Sequence, residues 1–187
     1  MHLMRFLRPN MVLCELESAL RPPDVVEYEE LVRLAAERGE PAPEPPVVDE
    51  FVRWRRKEAV VGELAELFAR SGEVRNLAKF RRDLLDRERK STTAVGGGLA
   101  IPHVRSMQPR SLVVCVARSR VGAEYLAEDG SPVHVFFGIA SPSYDDSDYW
   151  KLYRWAANAF GQESWLVGAL LDAADENEIV RILKGLR

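Results

Sequence analysis

The sequence predicts an α/β fold, a mixed central sheet of about four or five strands flanked by helices on both faces. Two apolar runs, Ser111 to Ala117 and Pro132 to Ala140, are continuous rather than alternating, the pattern of strands covered on both sides. Segments before and after them carry apolar residues at helical spacing. The length, 187 residues with 47% hydrophobic and 29% charged side chains, suits one compact domain with an appendage. A chain of this size buries roughly 70% of the surface its unfolded form exposes, so its core needs neither disulfides nor metal.

Taken in order, Met11 to Leu16 is a short apolar strand stopped by Pro22-Pro23. Pro22 to Glu50 holds six of the eleven prolines and nine acids against two arginines, a local charge of −7. Within it Asp24 to Arg38 reads as a helix with Val25, Tyr28, Leu31, Val32 and Ala35 on one face and Gly39 at its end. The PAPEPP that follows is a stiff, extended spacer. The domain is therefore expected to span 1–187 as a single unit with an acidic, proline-rich helical insertion at about 21–54, a solvated excursion from the body ahead of the alternative, a dedicated docking element. From Phe51 to Lys90 twelve bases and seven acids reverse the charge to +5. Helices are expected at about Arg56 to Arg70, ending at Ser71-Gly72, and about Asn76 to Glu88. A turn with three consecutive glycines, Gly96 to Gly98, precedes the two long strands, which a charged turn ending AEDGS separates. The remainder is helical: Tyr149 to Phe160, whose aromatic row is mostly core, then Trp165 to Leu171, then a segment lining up Ile179, Ile182, Leu183 and Leu186.

A formal charge of −3 and a pI near 5.7 argue against a general nucleic-acid binder. No apolar run approaches 18 residues, which excludes a spanning helix, and MHLMRFLRPN lacks the pattern of a signal peptide. Cys14 and Cys115 each sit inside an apolar run and form no CxxC; with three histidines in the chain, a zinc site lacks ligands at usable spacing. The expected location is cytoplasmic.

Among titratable groups His103 stands out. It follows Pro102 and a glycine turn whose backbone N–H groups can approach an anion closely. A neutral imidazole leaves one ring nitrogen with a lone pair, a nucleophile. Donors for a phosphoryl group on that nitrogen are at hand in Gly96, Gly97 and Gly98, in the hydroxyls of Ser91, Thr92 and Thr93, and in a nearby guanidinium. His2 lies near the terminus, and His134, inside PVHVFFGIA, reads as a core or sheet-edge histidine satisfied by a backbone partner. No Walker A, GxSxG or HExxH motif is present.

The stretch DRERKSTTAVGGGLAIPH resembles the signature of the enzyme IIA components of the bacterial phosphotransferase system, the fructose, mannitol and nitrogen-regulatory class. That family shows an Arg-Glu pair, a Ser/Thr-Thr, a glycine-rich turn and Ala-(Ile/Val)-Pro-His, here Arg87-Glu88, Ser91 to Thr93, Gly96 to Gly98 and Ala100 to His103. VGELAELFARSGEV upstream and VHVFFGIASP downstream continue the likeness, which covers roughly 5–20 and 55–187. The resemblance implies an enzyme IIA (fructose/mannitol)-like fold and a phosphoryl group accepted on His103 from a histidine phosphocarrier protein. It also implies phosphate stabilisation by Arg87, and onward transfer to an enzyme IIB or a regulatory target. It calls for no metal or other cofactor. Where the family commonly carries a second histidine, this sequence has Tyr149, which can donate one hydrogen bond but, with an ordinary pKa near 10, cannot serve as the same acid or base. Two readings follow: a working phosphocarrier, since phosphoryl transfer rests mainly on positioning and charge, or a regulatory binding module on the same fold that is not phosphorylated.

Overall fold

The sheet is built around one strand, β6 (Val133–Pro142), in a computed structural model that describes residues 6–144, 147–162 and 165–186. His2 lies outside the described residues. Along one edge β6 pairs antiparallel with β5 (Val113–Ala123). Along the other it pairs in parallel with two short strands in succession, β3 (Leu99–Ala100) opposite Val135 and Phe136, then β4 (His103–Ser106) opposite Ile139 to Pro142. Pro102, which has no N–H to donate, marks the break between them, and its carbonyl accepts from Ile139 N at 2.9 Å. β2 (Ala94–Gly96) closes one margin antiparallel to β3, and β1 (Val12–Leu13) lies parallel to β5 at the other. The sheet is mixed, as expected, but among the described residues it has six strands rather than four or five. The extra pieces are the two- and three-residue strands that flank the glycine turn, too short for an apolar pattern to reveal.

Burial of every residue from Val113 to Ser119 reflects helices on both faces. On one face Phe68 of α3 (Glu50–Ala69) presses on the sheet where Gly138 leaves space; a Cβ there would stand 2.7 Å from the Phe68 ring and 2.6 Å from Cys115 Sγ. On the other, Trp155 and Phe160 of α5 (Ser147–Gln162) pack against Phe137 at centroid distances of 5.8 and 5.9 Å. α4 (Leu77–Lys90) packs on α3, Phe80 edge-on to Phe68 at 5.3 Å, and begins where the Asn76 side chain caps Lys79 N. α6 (Leu166–Asp172) and α7 (Glu176–Gly185) complete the chain. The carbonyls at the end of α6 are taken up by buried Arg118 of β5, which donates to Leu170, Ala173 and, just past β1, Cys14. Among the described residues no helix is long and apolar enough to cross a membrane.

Three boundaries differ from the sequence reading. The first strand is two residues instead of six, because a 3-10 turn occupies Pro9–Met11 and α1 (Glu17–Leu20) begins directly after Leu16, its first amides held by the Glu63 carboxylate. β5 runs six residues past Ala117, its pairing with β6 shifting between Arg118 and Ala123. α3 starts at Glu50 and not at Arg56: Asp49 accepts a hydrogen bond from Val52 N at 2.9 Å, an N-cap hidden within the acidic run. The helix of the acidic insertion, α2 (Pro23–Arg38), ends at Gly39 in the left-handed region, φ 69°, as its sequence predicts, although Leu31 on the expected inner face is exposed.

Candidate functional site

His103 is the first residue of β4, so its ring stands at the edge of the sheet just past the proline break. The carbonyl of Ile101 lies 2.7 Å from Nδ1. A carbonyl only accepts, so Nδ1 carries the proton and the lone pair is on Nε2. Nε2 faces the guanidinium of Arg87, 2.9 Å from Nη2 and 3.3 Å from Nε. Arg87 comes from the last turn of α4, and its third nitrogen is held by the Ser91 carbonyl at 2.8 Å. Burial pulls the pKa of His103 below its ordinary 6.5; the Arg87 charge acts in the same direction, while the Ile101 bond and Glu88 oppose. The imidazole is thus neutral at neutral pH, with its free nitrogen aimed at a fixed cation.

The two residues open onto a cavity of about 760 Å³. Asp83, Asp86, Arg87 and Lys90, spaced along one side of α4, form one wall. His103 and Arg105, two apart on β4 and therefore on one side of the strand, form another, and Tyr149 and Trp150 of α5 a third. Three cations against two carboxylates make a lining that favours an anion beside Nε2. Tyr149 is buried with its ring centroid 6.4 Å from that of His103, and Arg105 lies 5.9 Å from the Tyr149 ring. Tyr153, one helical turn on, is nearer, edge-on at 4.9 Å.

Residues 49–185 match the family model for the phosphoenolpyruvate-dependent sugar phosphotransferase system, EIIA 2. The chain belongs to this family. It is 26% identical over 132 residues to the fructose-specific EIIABC component of the phosphotransferase system of Bacillus subtilis, which covers 71% of this chain but only about a fifth (21%) of that much longer protein. Among solved structures, the nitrogen regulatory protein IIA-Ntr of Neisseria meningitidis superposes with a TM-score of 0.62 at 26% identity, over 68% of this chain and 86% of that one. Enzyme IIA mannitol, in its complex with phosphorylated enzyme IIB mannitol from Escherichia coli, superposes with a TM-score of 0.55 over 70% and 88% of the two chains; at 20% identity this likeness is one of fold.

Of the site residues named from the EIIA-like sequence motif, the structure brings together His103, Arg87 and Tyr149. It does not bring the others to the cavity. Thr93 is buried, its amide and hydroxyl both on the Glu88 carboxylate. Thr92 Oγ1 accepts from Lys57 Nζ at 3.1 Å. Gly96, Gly97 and Gly98 have φ of 86°, 61° and 79°, a run of left-handed backbone that turns β2 into β3. Gly97 N donates to Asp129 Oδ2 at 3.2 Å, and the Gly98 carbonyl accepts from His134 N and Val135 N. Gly96 and Gly97 line a second, mostly apolar cavity of about 390 Å³ on the far side of Tyr153, with Val95, Leu99 and Phe160. His134 is held by the Ser119 carbonyl at 2.9 Å, as its sequence context predicts.

The sequence reading missed the Ile101 carbonyl, the cations Lys90 and Arg105, and Tyr153. A backbone acceptor leaves no trace in residue identity, and the two cations look like any solvated base. Tyr153 had a signal: it stands four residues after Tyr149, on the same helix face. The aromatic row of α5 is mostly core, as expected: Tyr149 is buried in it and Tyr153, Trp155 and Phe160 pack against it, while Trp150 is exposed; Tyr149 and Trp150 also line the cavity, and Tyr153 meets the His103 ring.

Proposed function

We propose that this chain is a phosphoryl carrier of the phosphotransferase system, acting in the cytoplasm, with His103 Nε2 as the phosphoryl acceptor. The observation that carries it is the arrangement of His103, its Nδ1–H bound to a carbonyl and its Nε2 lone pair held against a guanidinium. The donor is the phosphohistidine of a small histidine phosphocarrier protein. Nε2 attacks phosphorus as the donor's N–P bond breaks, and the lone pair becomes the new N–P bond. Nδ1 keeps its proton on the Ile101 carbonyl, so the ring acquires a positive charge that the adjacent phosphoryl oxygens offset. No proton is removed from His103 in this step, and a general base is not required. Tyr149 in place of a second histidine is thereby compatible with transfer. Arg87 moves its donors from Nε2 to the phosphoryl oxygens, where a planar, permanently charged fork suits the loose transition state. The reverse step delivers the group to an enzyme IIB or to a regulatory target.

The test is phosphotransfer from labelled phosphoenolpyruvate through enzyme I and the histidine phosphocarrier protein. Wild type should acquire acid-labile label, and His103→Ala should acquire none. Label that persists in His103→Ala would reassign the acceptor. An unlabelled wild type would favour instead the regulatory binding module, a reading that Tyr149 at the second-histidine position keeps in view.

A further inference from the structure

Directly behind the site lies an ion pair that the phosphoryl chemistry does not touch. Lys57 Nζ and Glu88 Oε2 are 2.9 Å apart, with 1% and 0% of their side chains exposed. Two desolvated charges are a poor way to stabilise a core compared with apolar side chains of similar size, so the useful question is what this pair holds in place. Glu88 is fully engaged: Oε2 also accepts from Thr93 N at 3.1 Å, and Oε1 from the Thr93 hydroxyl. Lys57 donates to Thr92 Oγ1 and sits 4.5 Å from the centroid of the Tyr125 ring. From here the connections run to both partners of the site. In one direction Glu88 is covalently next to Arg87 on the last turn of α4. In the other, the Thr93 carbonyl accepts from Ile101 N at 2.9 Å, and the Ile101 carbonyl in turn holds His103 Nδ1 at 2.7 Å.

We infer that Lys57, Glu88 and Thr93 form a positioning unit that sets the separation between Arg87 and His103 by locking the end of α4 to the strand segment from which His103 is hung. Thr93, a residue the sequence motif offers as a phosphate ligand, acts through Glu88 instead. The effect on phosphoryl transfer rests on the function proposed above; the effect on the His103–Arg87 geometry does not.

The test uses the full chain. Thr93→Val is nearly isosteric, keeps both charges paired and removes one hydrogen bond from Glu88; Thr93→Ser restores the hydroxyl. Two readouts are taken. The first is 15N NMR of the imidazoles, giving the tautomer and titration midpoint of His103, with His2 and His134 as internal controls. Arg87 and Glu88 from α4, Arg105 from β4 and Tyr149 and Tyr153 from α5 surround that ring, and of these the valine change displaces Arg87. The second is single-turnover transfer from the phosphorylated histidine phosphocarrier protein at varied donor concentration. In Thr93→Val the His103 midpoint should rise toward the ordinary 6.5 as the cation withdraws. The transfer rate constant should fall by ten- to on the order of a hundredfold, with the half-saturating donor concentration unchanged. Thr93→Ser should behave as wild type in both. If Thr93→Val does not fold, Thr92→Val, which removes the hydroxyl partner of Lys57 at a half-buried position, should shift both readouts the same way by less. Loss of thermal stability with tautomer, midpoint and rate all unchanged would overturn the inference. If wild type takes no label, the imidazole readout still decides the positioning role while the carrier reading fails.

Discussion

Arg56 and Lys57 are consecutive residues of α3 that form ion pairs with opposite consequences. Arg56 points outward and grips Asp24 of α2 with two hydrogen bonds, at 2.9 and 2.7 Å, and Arg55 adds a contact to Glu27. These pairs are where the −7 and +5 segments of the sequence meet; the acidic excursion is tied down by the basic helix beside it, leaving 21% of Arg56 and 6% of Asp24 exposed. Lys57 points inward to Glu88, where both side chains are sealed from water and every acceptor on the carboxylate leads to the His103 site. One helical step therefore separates an attachment that fastens α2 from a buried strut beneath the His103 site. The lesson is that an ion pair's role follows from what its leftover hydrogen bonds reach, since the charges themselves are alike.

The sharpest way to break this comparison is to remove one partner from each pair. Glu88→Leu leaves an ammonium buried with no counter-charge and should cost about 3 to 5 kcal/mol, whereas Lys57→Met/Glu88→Leu together should recover most of that loss. Asp24→Ala removes a partly solvated contact and should cost only about 1 kcal/mol. Urea unfolding of the four proteins gives all three numbers, and equal costs for Glu88→Leu and Asp24→Ala would erase the distinction.

A smaller effect is expected from removing the appendage itself. Ala35 is buried, but no residue between 20 and 56 joins the main hydrophobic cluster, so replacing 23–47 should leave the sheet and the His103 cavity intact. The replacement has to span a real gap. Glu63 caps α1 while the chain re-enters α3 at Asp49, a separation of about 21 Å along the helix at 1.5 Å per residue. A linker of about six glycine and serine residues, with the retained flanks, reaches that far. The shortened protein should unfold cooperatively and show a wild-type His103 titration by NMR; an aggregated product would mean that α2 shields core after all.

Much of this architecture could be read in the residues because it rests on long-range apolar pattern. β5 and β6 announced themselves as continuous hydrophobic runs, and α4 by its apolar spacing. The pairing of His103 with Arg87 was legible through a motif whose order of elements is specific. What stayed hidden depends on contacts that residue type does not encode. Thr92 and Thr93 sit in the motif beside the histidine, yet their hydroxyls turn toward Lys57 and Glu88, and nothing in RRKEAV marks Lys57, rather than Arg55 or Arg56, as the buried one. The glycines were legible as a turn but not as to which side it faces. Gly97 spends its amide on Asp129, thirty-two residues away, a contact that only the closed sheet creates.

The finest distinction between the two pairs is their response to acid. Hydrogen bonding to Arg56, reinforced by the Arg56 charge and opposed by burial, holds the Asp24 carboxyl below its ordinary 3.8. A carboxylate depressed in the folded state contributes stability that is fully present above its unfolded pKa and is lost as pH falls through the folded one. Wild type should therefore melt above Asp24→Asn by a constant margin from pH 7 to pH 5, about 2 to 4 °C for a difference near 1 kcal/mol in a chain of this length. The margin should close below about pH 4, as Asp24 itself becomes neutral. As pH falls below about 6.5 both proteins should share another decline. His103 is depressed by burial, so the unfolded chain binds its proton first and acid favours unfolding. Melting curves of wild type, Asp24→Asn and His103→Gln across pH 3 to 7 separate the two: the glutamine variant should lose the decline that begins near pH 6.5 and keep the one below about pH 4. A wild-type to Asp24→Asn margin that persists undiminished at pH 3 would show that Asp24 holds α2 by shape and hydrogen bonding rather than by charge, and the contrast with Lys57 would then rest on burial alone.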